Sequence, residues 1–260
     1  MFEKFNVPAM FLAKDAVLAC YACGRTSGLV VDVGASGTCI SPVQDGWVDS
    51  KGLNRSHIGG RYMDAHALSL LQSWRPTNPP LPNYALERNV HETSTGRRAV
   101  TSKPKALPNI SRSYQAYMAL DMAKEMKESI SRATESPLAD IEGKLVNIPV
   151  NHYELPDGTI IDIGLERFAC AELLFDSSSV DLEPAELVAL NLHPTRPSAL
   201  HNSNNTQSIA QLAADSVFRC DVELQAACVS NLVVTGGCAA IDNLPERIRS
   251  DLENVIKPGK

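Results

Sequence analysis

The chain has 260 residues, of which 44% are hydrophobic, so it can bury one large core or two modest ones. Its formal net charge of −6 argues against a protein that binds nucleic acid through a broad basic face. No apolar run approaches the length of a membrane span, and residues 1–10 lack the continuous apolar core of a signal peptide. The sequence therefore predicts a soluble intracellular protein.

The cysteines do not suggest a disulfide framework. There are seven of them, an odd number scattered over a long chain, which is typical of a reducing compartment. Cys20 and Cys23 form a CxxC pair, but no second ligand pair accompanies it, and the histidines show no metal-ligand spacing. The run AVLACYACGRTSG is typical of a helix that ends at a glycine. We interpret both cysteines as structural, with a CxxC redox protein as the weaker alternative.

Strand patterns and helix patterns alternate along the chain, which predicts the α/β class. The first half is predicted to hold a helix over 12–23, strands over 28–32 and 38–43, a third strand from residue 47, and a helix over 61–74. The second half is predicted to hold a helix over 113–133, a hairpin over 150–163 around a Pro-Asp-Gly turn, a helix over 206–218 capped by Asn205 or Thr206, a strand over 231–235, and a helix over 241–255.

Two details of this prediction concern exposure. The helix over 113–133 carries a stripe that we interpret as a core face, formed by Tyr114, Met118, Met122, Met126 and Ile130. Residues 75–111 and 177–205 are rich in proline or polar residues, and we predict exposed insertions there, the first partly disordered. The basic stretch within the first insertion is interpreted as a solvated loop, with a targeting signal as the alternative.

Two junctions between a strand and glycines could carry chemistry. In VVDVGASG, residues 30–37, Asp32 stands at a strand end before a glycine turn, an arrangement that suits a phosphate and its magnesium ion. In VVTGG, residues 233–237, paired glycines would let backbone approach a flat ligand closely. Each motif alone is weak, because such turns also arise from simple packing.

Several separate blocks of the chain resemble the actin family, and they occur in the family's order. The blocks are Phe5–Leu18, Ala16–Gly34, Gly59–Arg61, Tyr153–Phe175 (YELPDGTIIDIGLERFACAELLF) and Asn231–Ile248. The resemblance implies the actin and sugar-kinase type of ribonuclease H-like ATPase fold, which binds ATP and Mg²⁺ between two lobes. The chain corresponds mainly to the lobe of this fold that is made of subdomains 3 and 4. A sugar kinase or chaperone-type ATPase of the same superfamily is disfavoured by YELPDG and GRTSG.

The resemblance also implies a division of the chain. Residues 1–22 match a remnant of subdomain 1 with its connecting helix, residues 23–58 and 206–260 match subdomain 3, and residues 59–205 match subdomain 4 with the two insertions. About a third of the family's fold is expected to precede Phe5, and further elements are expected after Lys260. We therefore expect this polypeptide alone to bind ATP poorly and to be unstable.

The resemblance assigns candidate nucleotide-binding residues one by one. Asp32 matches the aspartate that holds magnesium through water, and Gly34, Ser36 and Gly37 match the positions around the phosphates. Lys127 and Glu128 match the pair beside adenine and ribose, although without the family a solvated Lys–Glu step would be preferred. Gly60, Gly236 and Gly237 match further glycines that line the nucleotide. No residue is predicted to be catalytic.

Three departures from the family's pattern predict weak hydrolysis. A second aspartate of the phosphate turn is replaced by Ala35, a histidine by Cys39, and a glutamine that helps to place the attacking water by Asp15. Hydrolysis needs a positioned water and charge stabilisation at the γ-phosphate. The resemblance therefore implies a vestigial ATPase that still binds nucleotide.

Within the family, the region between Arg61 and the helix predicted from residue 113 is longer than in conventional actin. This length and the runs NISRSYQAYM (109–118) and IPVNHYELPDG (148–158) resemble a nuclear actin-related branch. That resemblance implies a nuclear subunit of chromatin-remodelling and histone-acetyltransferase complexes. The implied partners are nuclear actin, the helical actin-binding segment of a remodelling ATPase or acetyltransferase-complex subunit, and histones, without sequence-specific nucleic acid or a membrane. The alternative is a divergent cytoplasmic, cytoskeletal actin that polymerises and hydrolyses ATP.

Overall fold

The computed structural model describes residues 1–75, 77, 80–92, 98–142, 148–176 and 207–256. The described elements are α1 (Phe2–Phe5), α2 (Asp15–Ala22), β1 (Gly28–Val33), β2 (Thr38–Gln44), β3 (Trp47–Val48), β4 (Asn54–Ser56), α3 (Gly60–Trp74), β5 (Leu86–Glu92), β6 (Arg98–Pro104), α4 (Arg112–Ile130), α5 (Leu138–Glu142), β7 (Asn151–Glu154), β8 (Ile160–Ile163), α6 (Glu166–Glu172), α7 (Ile209–Arg219), α8 (Val222–Ser230), β9 (Leu232–Thr235) and α9 (Leu244–Ile256). Short 3₁₀ helices occupy Asn83–Ala85 and Gly237–Ala240. None of these helices is long and apolar enough to cross a membrane.

A mixed sheet forms the centre of the described chain. Strand β1 pairs antiparallel with β2 on one side and parallel with β9 on the other, and β3 and β4 both pair with the far side of β2. The register places Asp32 opposite Thr235 of β9. Because β1 and β9 are parallel, their carboxyl ends meet at the same edge of the sheet. The predicted α/β class is confirmed, and the two glycine junctions follow neighbouring strands.

Helices cover both faces of this sheet. On one face, Val30, Val43 and Val233 pack with residues of α2 in a small cluster. On the other face, the larger core joins the sheet to α3, α4, α6, α7 and α9, through residues that include Leu29, Val31, Ile40, Met63, Leu71, Met122, Met126, Ala213, Val217, Leu244 and Ile248. Burial on both faces explains why Leu29, Val30 and Val31 of β1 form a continuous apolar run rather than an alternating pattern.

Helix α2 is shorter than predicted at its start and ends as predicted. It begins at Asp15 rather than at residue 12, since Phe11 and Leu12 are exposed and have no core to pack against. At its end, Gly24 adopts a left-handed φ of 68°, and the Arg25 N–H donates to the Cys20 carbonyl. This is the hydrogen bond of a Schellman motif, and it satisfies one of the last carbonyls of the helix.

The helices of the carboxyl-terminal part are displaced slightly from their predicted bounds. Helix α7 begins at Ile209, because Ser208 and Gln211 form a reciprocal capping box that satisfies two backbone N–H groups. Helix α9 begins at Leu244, since a 3₁₀ turn and the left-handed Asn243, with φ of 65°, precede it. Asn205 and Thr206, the predicted caps, lie outside the described residues.

The first predicted insertion contains an ordered hairpin. Strands β5 and β6 pair antiparallel from Leu86 opposite Pro104 to Glu92 opposite Arg98. The base of the hairpin is attached to the Pro-Asp-Gly turn, because the Ser102 hydroxyl donates to the Asp157 carbonyl. The sequence analysis did not predict this hairpin, although the exposure of β5 beyond Leu86 agrees with an exposed insertion. The second predicted insertion, 177–205, lies outside the described residues.

The predicted core stripe of α4 is correct only for its carboxyl-terminal half. Met122 and Met126 are buried against the larger core, whereas Tyr114 is exposed and contacts the ring of Tyr84 edge-on at 5.1 Å. Met118, in the same amino-terminal half, is only half-buried, so the apolar stripe is less completely packed there than at Met122 and Met126. The helix also ends at Ile130 rather than at residue 133.

Candidate functional site

The two glycine junctions meet at the carboxyl edge of β1 and β9. Gly236 directly follows β9 and adopts φ of 94° and ψ of 166°, a backbone region that only glycine populates readily. A Cβ atom at Gly236 would lie 2.5 Å from Asp32 Oδ1 and 2.5 Å from the Val33 carbonyl oxygen. The Asp32 carboxylate therefore lies against bare backbone, and the strand ends approach as closely as their glycines allow.

The turn after β1 is fastened to the start of α3 by backbone hydrogen bonds. Within the turn, the Gly34 N–H donates to the Gly37 carbonyl at 3.0 Å. The Gly60 N–H donates to the Gly34 carbonyl at 3.0 Å, and the Arg61 N–H donates to the Ala35 carbonyl at 2.8 Å. Ser36 is exposed at the tip of the turn. The turn and the first residues of α3 thus form one unit.

A cavity of about 1220 Å³ opens beside this edge. Its lining residues come from the turn after β1, from α3, from α4 and from the segment after β9, and they include Ala35, Gly60, Asp64, Lys127, Glu128, Gly237, Cys238 and Asp242. Four predicted residues, Gly60, Lys127, Glu128 and Gly237, therefore line one cavity. The other predicted residues, Asp32, Gly34, Ser36, Gly37 and Gly236, form the strand ends and turn next to it.

Lys127 and Glu128 are adjacent in sequence but differ in their surroundings. The Lys127 side chain is 6% exposed, and its Nζ lies 2.6 Å from Asp64 Oδ1 and donates to the Gly60 carbonyl at 3.4 Å. Glu128 is exposed and lies 3.8 Å from Lys124. Burial raises the pKa of Asp64, while the hydrogen bond from Lys127 acts in the opposite direction. Lys127 is thus part of a buried ion pair, and Glu128 belongs to the rim.

Asp64 is a site residue that the sequence analysis missed. It lies on α3, one turn after Gly60, in a stretch that otherwise buries apolar side chains such as Met63 and Ala67. An acidic residue on the buried face of a predicted helix was the available signal, because a buried charge requires a partner. Its partner could not be predicted, since Lys127 is 63 residues away on another helix.

The carboxylate of Asp32 lies near a second carboxylate, that of Asp15. Burial raises the pKa of Asp32, and the charge of Asp15 at the start of α2 raises it further. Asp15 therefore belongs to the electrostatic surroundings of the strand end. Carboxylate oxygens are the donors that Mg²⁺ prefers, usually with several retained waters. The single carboxylate of Asp32, next to the glycine backbone of Gly236, fits a divalent cation that keeps most of its waters and accompanies an anionic ligand.

Comparison with known proteins decides the family. A sequence profile described as Actin matches residues 1–260. This chain belongs to the actin family. The predicted family and its mixed α/β fold are confirmed.

Relatives narrow the position of the chain within the actin family. It is 32% identical to Actin-related protein 4 of Oryza sativa subsp. indica over 252 residues, which cover 97% of the chain and 53% of the relative. The values are the same for Actin-related protein 4 of Arabidopsis thaliana. It is 28% identical to the Schizosaccharomyces pombe protein named SWI/SNF and RSC complexes subunit arp42, over 98% of the chain and 58% of that protein. The chain thus spans just over half the length of these relatives, and the predicted likeness to actin-related proteins is confirmed.

The residues at which this chain departs from the actin family's pattern lie at or next to the cavity. Ala35 lines it and offers only a methyl group. Cys39 lies opposite Asp32 in the register of β1 and β2, and its Sγ is 3.6 Å from the Ser41 hydroxyl. Neither side chain supplies a carboxylate or an imidazole that could orient or deprotonate a water molecule.

The two CxxC cysteines have different surroundings. Cys20 is completely buried in the small cluster under α2, and burial raises the pKa of its thiol. Cys23 is exposed at the end of the same helix. A buried thiol with a raised pKa is a poor nucleophile, because the thiolate is the reactive form. The structure supports the interpretation of Cys20 as a packing residue.

We expect a maleimide to label Cys23 rapidly in the folded chain and to label Cys20 only after unfolding. Mass spectrometry of the peptide that spans both residues would distinguish single from double labelling. Cys228 provides a control, since it is fully buried and burial raises the pKa of its thiol to about 12. Ready formation of a Cys20–Cys23 disulfide under mild oxidation would contradict the structural interpretation and revive a redox role.

Proposed function

We propose that this chain belongs to a non-motor actin-related scaffold subunit of nuclear chromatin-remodelling or histone-acetyltransferase complexes. The proposed subunit binds ATP with Mg²⁺ and hydrolyses it slowly or not at all. The relatives named Actin-related protein 4 and SWI/SNF and RSC complexes subunit arp42 support the first part of this proposal.

The observation that carries the nucleotide-binding part is the convergence of two distant glycine junctions on one cavity edge. Gly236 leaves no room for a side chain, whereas a Cβ at Gly237 would meet no atom within 4 Å. Bare backbone of this kind permits close approach of a flat or phosphorylated ligand. In the proposed complex, the turn of Gly34, Ser36 and Gly37 holds phosphate oxygens.

The remaining predicted residues have compatible places around the same cavity. Asp32 would hold Mg²⁺ through water, and the ion would neutralise phosphate charge when bound. Gly60, Gly236 and Gly237 would lie along the nucleotide. Glu128 is exposed on the rim and available for the ribose, while Lys127 would act from within its ion pair.

Slow hydrolysis is proposed from the side chains that would have to act on water. Ala35 and Cys39 cannot accept a proton from water at this position as a carboxylate or an imidazole could. Asp15 places an anionic group, not an amide, in the surroundings of Asp32. An anion near the γ-phosphate opposes the charge stabilisation on which phosphoryl transfer depends. We therefore expect the subunit to bind ATP without hydrolysing it efficiently.

The proposed partners are nuclear actin and the helical actin-binding segment of a remodelling ATPase or acetyltransferase-complex subunit, with histones as further candidates. The proposed location is the nucleus. An actin-family subunit with slow turnover would contribute a nucleotide-stabilised surface for assembly rather than force or filament growth.

Affinity purification of the tagged protein from its own cells, followed by mass spectrometry, tests the proposal. Recovery of a remodelling ATPase or a histone acetyltransferase is the expected result, with tagged conventional actin from the same cells as the matched control. Recovery of filament-binding proteins alone would favour the divergent cytoskeletal actin. ATP turnover comparable to that of filamentous actin would refute the proposed lack of hydrolysis.

A further inference from the structure

The buried pair of Asp64 and Lys127 connects α3 with α4, next to the turn after β1. The Asp64 side chain is 12% exposed and the Lys127 side chain 6%, with 2.6 Å between Oδ1 and Nζ. Both residues line the cavity together with Gly60. A charge removed from water to this extent needs its partner, because the loss of either member leaves an uncompensated buried ion.

The pair continues into the turn through the backbone of Gly60. Lys127 Nζ donates to the Gly60 carbonyl, and the Gly60 N–H donates to the Gly34 carbonyl. A Cβ at Gly60 would lie 3.1 Å from Cys238 Sγ and 3.3 Å from the Ala35 Cα, so this backbone is held closely between the two junctions. Displacement of the Lys127 ammonium would therefore release one of the contacts that hold Gly60.

We propose that Asp64 is a positioning residue for nucleotide binding, which holds Lys127 as a neutral ion pair and through it fixes Gly60 and the turn of Gly34. This inference rests on the proposed binding of ATP. It means that Lys127 serves the site as an anchored hydrogen-bond donor to backbone rather than as a free cation that attracts phosphate. In this role Asp64 acts through Lys127, with which it forms the buried ion pair.

A double-mutant cycle tests whether Asp64 acts through Lys127. ATP affinity is measured on the tagged protein, purified with its partners and freed of nucleotide, for Asp64→Asn, Lys127→Met and the double variant. Asp64→Asn is expected to weaken ATP binding about tenfold, the effect of losing one charged hydrogen bond. The same substitution is expected to change affinity less than about twofold in the Lys127→Met background, since only coupled residues depart from additivity.

Control variants separate positioning from general damage. Asp64→Glu keeps the charge and is expected to retain affinity within about threefold, the range left when a charged hydrogen bond is preserved. Asp162→Asn removes an exposed carboxylate that also has a partner, His152 at 2.6 Å, but that does not line the cavity, and it should change nothing. If Asp64→Asn does not accumulate, the double variant is compared with Lys127→Met instead, because the double variant contains neither charge of the buried pair.

A second readout requires no nucleotide. Acetic anhydride is expected to acetylate Lys127 at least about fivefold faster in Asp64→Asn than in the unmodified protein, because the anchored ammonium loses its partner. Lys124, which is half exposed on the same helix, serves as the internal standard. Unchanged labelling of Lys127 would show that Asp64 does not hold it and would overturn the proposal.

The outcomes for the positioning role and for ATP binding differ. A fall in ATP affinity of equal size in both backgrounds, or a loss of stability with unchanged affinity, would overturn the positioning role alone. Unmodified protein that binds no ATP would overturn the nucleotide-binding part of the proposed function, and the positioning role with it.

Discussion

Replacement of Arg247 by alanine is expected to lower the free energy of unfolding by about 3–5 kcal/mol, the loss seen when one member of a buried ion pair is removed. Arg247 lies on α9 and is 2% exposed. Its Nε donates to Asp251 Oδ2 at 2.7 Å, and its Nη2 lies 3.6 Å from Glu172 Oε1. Alanine would leave the buried Glu172 carboxylate without this cation.

The guanidinium also connects α9 to the loop after α4. Its Nη1 donates to the Thr134 carbonyl at 3.1 Å, to the Thr134 hydroxyl at 2.9 Å and to the Ser136 carbonyl at 2.8 Å. Its carbon Cζ lies 4.4 Å from the centre of the Phe175 ring. The alanine variant would remove these donors, the stacking contact and the volume of a fully buried side chain together, so the loss should be large.

Urea unfolding followed by circular dichroism would measure this change, with Arg249→Ala as the matched control. Arg249 lies two residues further along α9, is 74% exposed and pairs with Glu253 at 3.2 Å. Its replacement should change the free energy of unfolding by no more than about 0.5 kcal/mol, as is usual for an exposed pair. A similar small change for Arg247→Ala would contradict the buried network.

Replacement of Gly236 by alanine is expected to lower the free energy of unfolding by about 2–4 kcal/mol, from backbone strain and overpacking together. The backbone at φ of 94° and ψ of 166° disfavours any side chain. The new Cβ would also lie 2.5 Å from both Asp32 Oδ1 and the Val33 carbonyl oxygen. Backbone atoms of a central strand cannot move aside, so the junction after β9 would have to shift.

Gly237→Ala is the matched control, since a Cβ at Gly237 would meet no atom within 4 Å. Its effect on the free energy of unfolding should stay within about 0.5 kcal/mol. Thermal and urea unfolding of both variants would provide the comparison. Equal destabilisation by the two alanines would mean that the close approach of β9 to Asp32 does not constrain Gly236.

Prediction from sequence succeeded where local pattern and burial agree. The strands over Gly28–Val33 and Leu232–Thr235 are short β-branched runs. Leu29, Val30 and Val31 of the first are fully buried, and in the second Val233 is buried while its neighbours are half-buried. Helix α9 was predicted from Leu244, Ile248, Leu252 and Val255, of which the first three are buried and Val255 is exposed. In these segments the intrinsic preference and the tertiary environment favour the same structure.

Prediction failed where burial follows no simple period. Helix α8, Val222–Ser230, was not predicted, and of its residues only Leu224 and Cys228 are buried. Two buried positions one turn apart are too few to define an amphipathic face. The prediction for α4 failed for the opposite reason. Its apolar stripe has a regular period, but Tyr114 in its amino-terminal half is exposed.

The α/β class, the family, most strands and helices, and the residue types at both glycine junctions could be predicted from the amino-acid sequence alone. These features depend on short-range preference and on motifs that are contiguous in the chain. That the two junctions share an edge of the sheet became evident only from the fold, because the parallel pairing of β1 with β9 joins segments about 200 residues apart. The same holds for the pairing of Asp64 with Lys127 and for the surroundings of Arg247, which depend on how helices pack and not on their own periodicity.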